Sequence, residues 1–275
     1  MPETVNAFAV EPYSYVDARA LSEELGLSEP VAVTLVRRGY RTPEEARAFL
    51  AADESHPPTA FAGIGGVVER VRGAIEAGQR ITVHGDFDVD GVCATAVLVR
   101  TLRELGADCD WFIPNRVEDG YGLSEGNVRR LVERGTGLLI TVDCGIASVA
   151  EVALAQELGM EVVVTDHHQR AAELPDCSIL HPEVSDYPFE SLCGTAVAWK
   201  LSCALREGAA STGPTEQAGP VDAAPSAAEV DLDLVALATV ADVVPLVGEN
   251  RALVRKGLAE MRRAKRPGVR ALLEA

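Results

Sequence analysis

ITVHGDFDVDGVCATAVLV, residues 81–99, is the stretch that decides the fold. It begins with a short strand-like run, and a second apolar run of helical character follows Gly91. Between these two runs, ionisable residues occupy alternate positions: His84, Asp86, Asp88 and Asp90. Because neighbouring carboxylates repel one another, such a cluster indicates that the side chains share a cation.

The rest of the chain continues this alternation of strand and helix. Apolar strand-like runs occupy residues 81–84, 109–113, 138–142, 161–165 and 178–180. Amphipathic runs that predict helices occupy residues 65–77, 91–105, 124–134, 148–158, 194–206 and 250–264, with Ser124 and Ser148 as expected N-caps. The alternation predicts an α/β fold: a doubly wound, mostly parallel sheet with helices on both faces.

Two segments depart from this pattern. Residues 16–50 are typical of short helices, with Thr42 as an N-cap before Pro43. Residues 208–230 contain three prolines and neither an aromatic nor a basic residue, so they cannot bury much surface and are predicted to be a flexible insert. We therefore predict a helical N-terminal segment, 1–64, and a catalytic domain, 65–275, that carries the insert.

The bulk composition excludes several classes. The net charge of −17 is unlike that of a general nucleic-acid coat, although residues 251–275 hold eight basic residues that could guide a polyanion or form a solvated helix face. The sequence has no apolar run of ~18 residues, and its first residues lack a basic region followed by an apolar stretch, so we expect no membrane span and no secretory signal. The six cysteines form no CxxC pair, so we expect a cytoplasmic protein with reduced thiols.

Charged residues follow several of the predicted strands. Asp143 follows the third strand, and the DHH triplet, residues 166–168, follows the fourth. The carboxyl ends of parallel strands meet at one edge of a sheet, so these groups and the turn after the first strand are expected to converge. Mixed carboxylate and imidazole ligands favour Mn²⁺, with Mg²⁺ as the alternative, and the cluster is large enough for two ions. Paired ions recur in enzymes that hydrolyse phosphoesters.

Two other metal sites fit the sequence less well. DFDVDG resembles the start of an EF-hand loop, but the twelfth position, which needs Glu, is Val97, and a strand precedes the loop. A structural zinc site would favour cysteine ligands in closed tetrahedral spacing.

Five motifs in order resemble those of the DHH phosphoesterase superfamily: HGDFDVDG, VDCG, TDHH, CGTAVAWKL and TVADVVPL. Three flanking segments are similar to the RecJ family of single-strand-specific DNA exonucleases within it: LVRRGYRTPEEARAFL, PNRVEDGYGLS and RPGVRALLE. Two positions depart from the family pattern, since Phe87 stands where Tyr is usual and His181 where Asn is usual. We therefore treat His181 as non-catalytic.

The resemblance implies roles for individual residues. One ion would be held by His84, Asp88 and Asp143, and the other by Asp90, Asp143, His167 and Asp242. Asp86 and Asp166 would orient the imidazoles, and His168 would contact the scissile phosphate, so that these three and the bridging Asp143 form the catalytic group. A nucleic acid would be contacted by Arg116 at a phosphate, by Tyr121 near a base, and by the helix start at Gly194, Thr195 and Ala196.

The implied activity is two-metal hydrolysis of single-stranded DNA in the 5′→3′ direction, in repair and recombination, with single-strand-binding protein as a partner and no membrane. The family continues into a DHHA1 domain and an OB-fold, so we expect this chain to be the N-terminal catalytic lobe and to turn over weakly by itself. Two alternatives remain open: a DHH phosphatase or nuclease acting on short oligonucleotides or small phosphates, and a non-catalytic scaffold associated with replication.

Overall fold

The computed structural model describes residues 12–117, 120, 122–210 and 229–275. The chain divides into two compact units, Met1–Asp53 and Glu54–Ala275. The division lies eleven residues before the predicted boundary at 64/65, because residues 54–64 pack with the second unit, where Phe61 and Ile64 are core residues.

The second unit is built on a parallel sheet. In the described residues this sheet has five strands in the order β2-β1-β3-β4-β5, and every neighbouring pair is parallel. The strands are β1 (Ile81–His84), β2 (Cys109–Phe112), β3 (Leu138–Val142), β4 (Glu161–Thr165) and β5 (Ser178–Leu180). The predicted strands coincide with these to within one residue, because strands buried on both faces form short apolar runs that Gly and polar residues delimit.

Helices cover both faces of the sheet. One face carries Ile81, Val83 and Ile140 and packs against helices α4 (Ile64–Glu76), α5 (Val89–Glu104) and α8 (Gly194–Ala210). Helix α9 (Leu232–Ala241) packs on α5 and α8 and belongs to the same core. The other face carries Leu139 and Val164 and packs against α6 (Glu125–Glu133) and α7 (Val149–Glu157). Alternate residues of each strand therefore enter two different cores, and the predicted doubly wound α/β fold is confirmed.

The remaining helices follow the sheet or precede it. A 3₁₀ turn spans Pro58–Ala60, and α10 (Gly248–Met261) and α11 (Pro267–Glu274) close the described chain. In the first unit, α1 (Tyr15–Leu25), α2 (Glu29–Arg37) and α3 (Pro43–Ala51) enclose a small apolar core that includes Leu21 and Leu35. Thr42 and Glu45 form a capping box at the start of α3, as the sequence of that turn indicates.

Several local features differ from the predictions. Helix α9 lies in a run for which we predicted no helix, and α8 continues to Ala210, so it includes the first three residues of the predicted insert. Residues 211–228 of that insert lie outside the described residues. Ser124 caps α6 through a hydrogen bond from the backbone N–H of Asn127, but the Ser148 side chain makes no such bond at the start of α7. Ser148 has ψ 53°, outside the extended conformation that capping requires.

Among the described residues, no helix combines the length and apolar character that a membrane span requires. All six cysteines are described, and none of them forms a disulfide.

Candidate metal centre

The candidate site lies where the sheet reverses its winding direction. Strand β1 stands between β2 and β3, so the chain moves to one side after β1 and to the other side after β2. Open α/β sheets bind ligands beyond the carboxyl ends of their strands at this reversal. His84 is the last residue of β1 and Asp143 follows β3 directly, so the strand pattern itself brings them to the same edge.

The carboxylate of Asp90 joins α5 to the N-terminus of α8. Its Oδ2 accepts a hydrogen bond from the backbone N–H of Gly194 at 2.7 Å, and its Oδ1 accepts one from the backbone N–H of Thr195 at 2.7 Å. The Thr195 hydroxyl donates to the Asp90 carbonyl at 2.8 Å. The positive end of a helix stabilises a buried carboxylate, so Asp90 is fixed in position by the protein alone.

This contact changes the interpretation of Gly194, Thr195 and Ala196. All three are buried, and the first two direct their backbone N–H groups at Asp90. The close approach at Gly194 is to another acid: a Cβ at this position would lie 2.5 Å from Oδ1 of Asp143. A contact between these residues and a nucleic acid stays a prediction. Within the fold, their role is to pack the helix end against the acidic cluster.

Asp166 organises the loop that carries both histidines. Its Oδ1 accepts from the backbone N–H groups of His167 (2.7 Å) and His168 (3.1 Å) and from Nδ1 of His168 (2.8 Å). Its Oδ2 accepts from the backbone N–H of Ile146 at 2.9 Å. Burial acts to raise the pKa of Asp166, but the bonds from His168 and Ile146 outweigh it and hold this pKa below its ordinary value. The same hydrogen bond raises the pKa of His168.

His167 stands at the centre of three carboxylates. Its Nε2 lies 3.1 Å from Oδ1 of Asp143, 3.6 Å from Oδ2 of Asp90 and 3.7 Å from Oδ2 of Asp242. Asp90, His167 and Asp242 offer ligand atoms that all lie within 4.8 Å of one another. The structure therefore brings together the four residues that we expected around one ion, including Asp242, which follows the insert.

The residues expected around the other ion are arranged less simply. Asp86, Asp88 and Asp143 form a second group whose ligand atoms lie within 4.8 Å of one another, and Asp143, His167 and His168 form a third. The Asp88 carboxylate also caps α5 by accepting from the Gly91 N–H at 2.9 Å. In the described residues, no such group of three includes His84, which stacks on Phe112 and lies 3.7 Å from Sγ of Cys144 through its Nδ1. Asp86 belongs to the second of these groups, and the expectation that it orients an imidazole stays a prediction.

The buried polar atoms of this cluster fit a cation. Neither oxygen of the Asp143 carboxylate makes a hydrogen bond, and the same holds for Oδ1 of Asp86 and for Nε2 of His167 despite its short distance to Asp143. Buried polar groups are normally hydrogen-bonded. Burial, with the negative charge of Asp90, raises the pKa of Asp143 to about 10. Burial also raises the pKa values of Asp86 and Asp242. A divalent cation would satisfy these atoms and favour the charged carboxylates.

Arg116, one of the residues expected to contact a nucleic acid, lies next to the aspartate turn in the fold. The Arg116 guanidinium is exposed and lies 5.1 Å from the centre of the Phe87 ring, which is a cation–π distance. The Phe87 ring therefore serves as a platform for Arg116. Tyr121 lies outside the described residues.

Sequence reasoning missed two contributors to this geometry. A Cβ at Gly91 would lie 2.5 Å from the backbone nitrogen of Asp86, so only glycine lets α5 pack under the aspartate turn. The sequence does carry a signal for this close approach, because Gly91 directly follows Asp90, the third aspartate of the turn. His181, set aside as non-catalytic, lies 2.8 Å from the carbonyl oxygen of His168 through its Nε2. Only its proximity in the fold connects it to the site.

Comparison with known proteins places this geometry in a family. Residues 80–239 match the model of the DHH family, N-terminal domain. The chain is 40% identical over 261 residues to the single-stranded-DNA-specific exonuclease RecJ of Bacillus subtilis, covering 93% of this chain and 31% of that protein. It is 47% identical over 219 residues to the RecJ of Salmonella typhimurium, and this alignment covers 78% of this chain and 37% of that protein. The chain thus spans about a third of the length of these relatives.

Solved structures give the same result. A crystal structure of exonuclease RecJ bound to manganese aligns with a TM-score of 0.70 and 39% identity, covering 80% of this chain and 53% of that one. RecJ from Thermus thermophilus in complex with Mn²⁺ aligns with a TM-score of 0.74 and 33% identity, and the alignment covers 97% of this chain and 36% of that one. With the family model matched from β1 to α9, across all the carboxylates and imidazoles described above except Asp242, the chain belongs to the DHH family.

Proposed function

We propose that this chain is the metal-binding lobe of a phosphodiesterase that hydrolyses single-stranded DNA, and that its carboxylates and imidazoles hold two divalent cations, Mn²⁺ or Mg²⁺. Asp90, Asp143, His167 and Asp242 would hold one ion. Asp88 and Asp143 would hold the other, with His84 and Asp86 as the candidate nitrogen and oxygen ligands beside them.

One observation carries the proposal. Both oxygens of the buried Asp143 carboxylate lack hydrogen bonds, although they lie between two groups of potential ligands. An uncompensated buried charge costs several kcal/mol, roughly. Divalent cations beside Asp143 would keep its carboxylate ionised and would offset the cost of burying that charge.

The residues around Asp143 would divide the work of hydrolysis. When bound, the two cations would lower the pKa of water and neutralise the charge on the phosphoryl oxygens. Water adds to phosphorus, the P–O bond breaks, and the leaving oxygen takes a proton. Asp166 holds the proton of His168 on Nδ1 and raises its pKa. His168 is thereby kept able to donate to a phosphoryl oxygen.

The substrate proposal is supported by the relatives. Those compared above are named single-stranded-DNA-specific exonucleases. Arg116, held over Phe87, would contact a backbone phosphate. We extend the proposal to 5′→3′ polarity, to DNA repair and recombination in the cytoplasm, and to single-strand-binding protein as a partner. A pull-down with that protein would test the partnership.

The test combines metal stoichiometry with digestion. We expect elemental analysis after Mn²⁺ loading to give two ions per chain, and Asp143→Ala to lose at least one of them. Glu125→Gln, an exposed acid on α6 that pairs with Arg129, is the matched control and should retain both ions. Single strands labelled at the 5′ end should release the label as a mononucleotide in preference to duplexes, even if slowly.

Other results would decide against the proposal. Full Mn²⁺ occupancy in Asp143→Ala would remove the bridging role. Hydrolysis confined to dinucleotides or small phosphates would favour the phosphatase alternative. A chain that binds no ion yet captures replication proteins would favour the scaffold.

A further inference from the structure

His181 is a buried histidine whose ring joins two backbone segments. It follows β5 directly and is only 3% exposed. Its Nε2 lies 2.8 Å from the carbonyl oxygen of His168. On the other edge of the ring, Nδ1 accepts from the backbone N–H groups of Glu183 at 3.2 Å and Val184 at 3.4 Å. Both ring nitrogens are thus engaged with main-chain atoms.

These partners fix the position of the ring hydrogen. Two N–H donors face Nδ1, so Nδ1 must accept, and the ring hydrogen therefore lies on Nε2. The carbonyl oxygen of His168 can only accept, which agrees with a hydrogen on Nε2. His181 therefore donates to the backbone of the loop that carries the candidate ligands.

The histidine loop, residues 166–168, is held from two sides. On one side the Asp166 carboxylate accepts from the backbone N–H groups of His167 and His168 and from the His168 imidazole. On the other side His181 donates to the carbonyl of His168. A loop with one of these supports removed can rotate about the other, and rotation would move the His167 and His168 imidazoles relative to Asp143.

We propose that His181 is a positioning residue that holds the His167 and His168 imidazoles in register with Asp143. The inference rests on the proposed function in one respect: it takes these imidazoles to serve the metal centre. Groups that orient metal ligands typically change metal affinity by about 10–100-fold when they are removed.

The geometry distinguishes three substitutions. In His181→Gln the amide N–H group reaches about as far from the backbone as Nε2, so the bond to His168 can form. In His181→Asn the amide oxygen takes the place of Nδ1, but the amide N–H group falls short of the His168 carbonyl. His181→Leu fills a similar volume and offers neither group. The expected order of function is therefore Gln, then Asn, then Leu.

The full chain is titrated with Mn²⁺, and amide hydrogen exchange is followed at His167 and His168. In His181→Leu we expect Mn²⁺ affinity to fall by about 10-fold or more and exchange at these two amides to accelerate, while the amides of β3 stay protected. His181→Gln should keep most of the Mn²⁺ affinity and most of the protection of the two amides against exchange. With single-stranded DNA, kcat should fall in the Leu variant while KM stays constant.

Ser185→Ala is the matched control. The Ser185 hydroxyl accepts from the His181 backbone N–H at 3.2 Å and donates to the Ile179 carbonyl at 3.2 Å, so its loss loosens the same turn without removing the bond to His168. Unchanged Mn²⁺ affinity and loop exchange in His181→Leu would overturn the inference, as would an equal effect of Ser185→Ala. If Mn²⁺ binding responds as expected but no variant, including wild type, cleaves DNA, the proposed function fails and the positioning role stands.

Discussion

Asp143 combines a strained backbone with a buried carboxylate that makes no hydrogen bond. Its φ of 61° is in the left-handed region, which few residues other than glycine adopt. Its carboxylate is buried without hydrogen bonds, and burial together with Asp90 raises its pKa to about 10. Strain of this kind clusters at functional sites, and here the backbone and the side chain are strained at the same residue.

The raised pKa of Asp143 predicts how metal-free stability depends on pH. The folded state binds the proton of the Asp143 carboxyl more tightly than the unfolded state does, because the pKa of this group in the unfolded state is near 3.8. The contribution is fully present below the unfolded pKa and is lost as pH rises towards the folded pKa of about 10. In EDTA, we expect the free energy of unfolding to fall between about pH 5 and pH 9. Asp143→Asn should flatten this dependence and be more stable by at least about 1 kcal/mol at the upper end.

Urea denaturation of the two proteins across this range provides the measurement. A wild-type stability that does not decrease with pH would show that Asp143 is ionised in the metal-free protein. Adding Mn²⁺ should reverse the order of stability, because only wild type gains from binding.

At the residue scale, the sequence predicted which side chains meet but not how they divide their contacts. His167, Asp143, Asp90 and Asp242 lie together because strand and helix ends converge, and convergence follows from the alternating pattern. The hydrogen bonds between Asp90 and the start of α8 span 104 and 105 residues of sequence, and no local pattern encodes them. The contact between His181 Nε2 and the His168 carbonyl is likewise not encoded by any local pattern.

Among the elements, the approach of α8 to the end of β3 controls the metal centre. A Cβ at Gly194 would lie 2.5 Å from Oδ1 and 2.7 Å from Cβ of Asp143, so Gly194→Ala must displace one of the two segments. We expect its Mn²⁺ affinity, measured by calorimetry, to fall by about 10-fold or more. Gly73→Ala within α4 meets nothing within 4 Å and should leave affinity unchanged. Wild-type affinity in Gly194→Ala would indicate that the helix end can yield without moving Asp143.

A buried ion pair joins α8 to α10. Nζ of Lys200 lies 2.7 Å from Oε1 of Glu249, and the two side chains are 2% and 0% exposed. Tyr187 donates to the other oxygen of Glu249 at 2.8 Å. Removing one partner of such a pair leaves a buried charge and costs about 3–5 kcal/mol.

Lys200→Met and Glu249→Gln should therefore each lower the free energy of unfolding by about 3–5 kcal/mol. The double variant should lose less than the sum of the two, since neither charge is left alone. Chemical denaturation of the wild type, the two single variants and the double variant gives the four free energies of unfolding that this double-mutant cycle needs. Strict additivity would mean that the pair contributes nothing as a pair.

The prediction of helices failed for α9, whose sequence lacks the periodicity of an amphipathic helix. Helix α9 is apolar on nearly all sides because it packs against α5, α8 and α10, so its residues lack the alternation of an exposed helix. The amphipathic helices α4 and α6 bury one face only and were predicted to within one residue.

At the scale of the whole molecule, the two units have separate cores. The core of Met1–Asp53 is formed by α1, α2 and α3, whereas the groups of candidate ligands found among the described residues all lie in Glu54–Ala275. We expect a chain shortened to residues 54–275 to fold cooperatively and to bind Mn²⁺ within about twofold of the full chain. Circular dichroism and calorimetry test this, with Asp143→Ala in the shortened chain as the negative control. A shortened chain that folds but loses its ions would assign the first unit a part in metal binding.

The left-handed backbone at position 143 restricts the variants that evolution can sample there. Asn, Asp and Gly are the residues that adopt this conformation most readily, and of these only Asp supplies an anionic oxygen. A saturation library at this codon should therefore yield folded, metal-deficient clones carrying Asn or Gly, while Glu, the other acid, should be rare among folded clones. Loss of activity by drift would thus leave a recognisable mark: an amide or a glycine where the carboxylate stood.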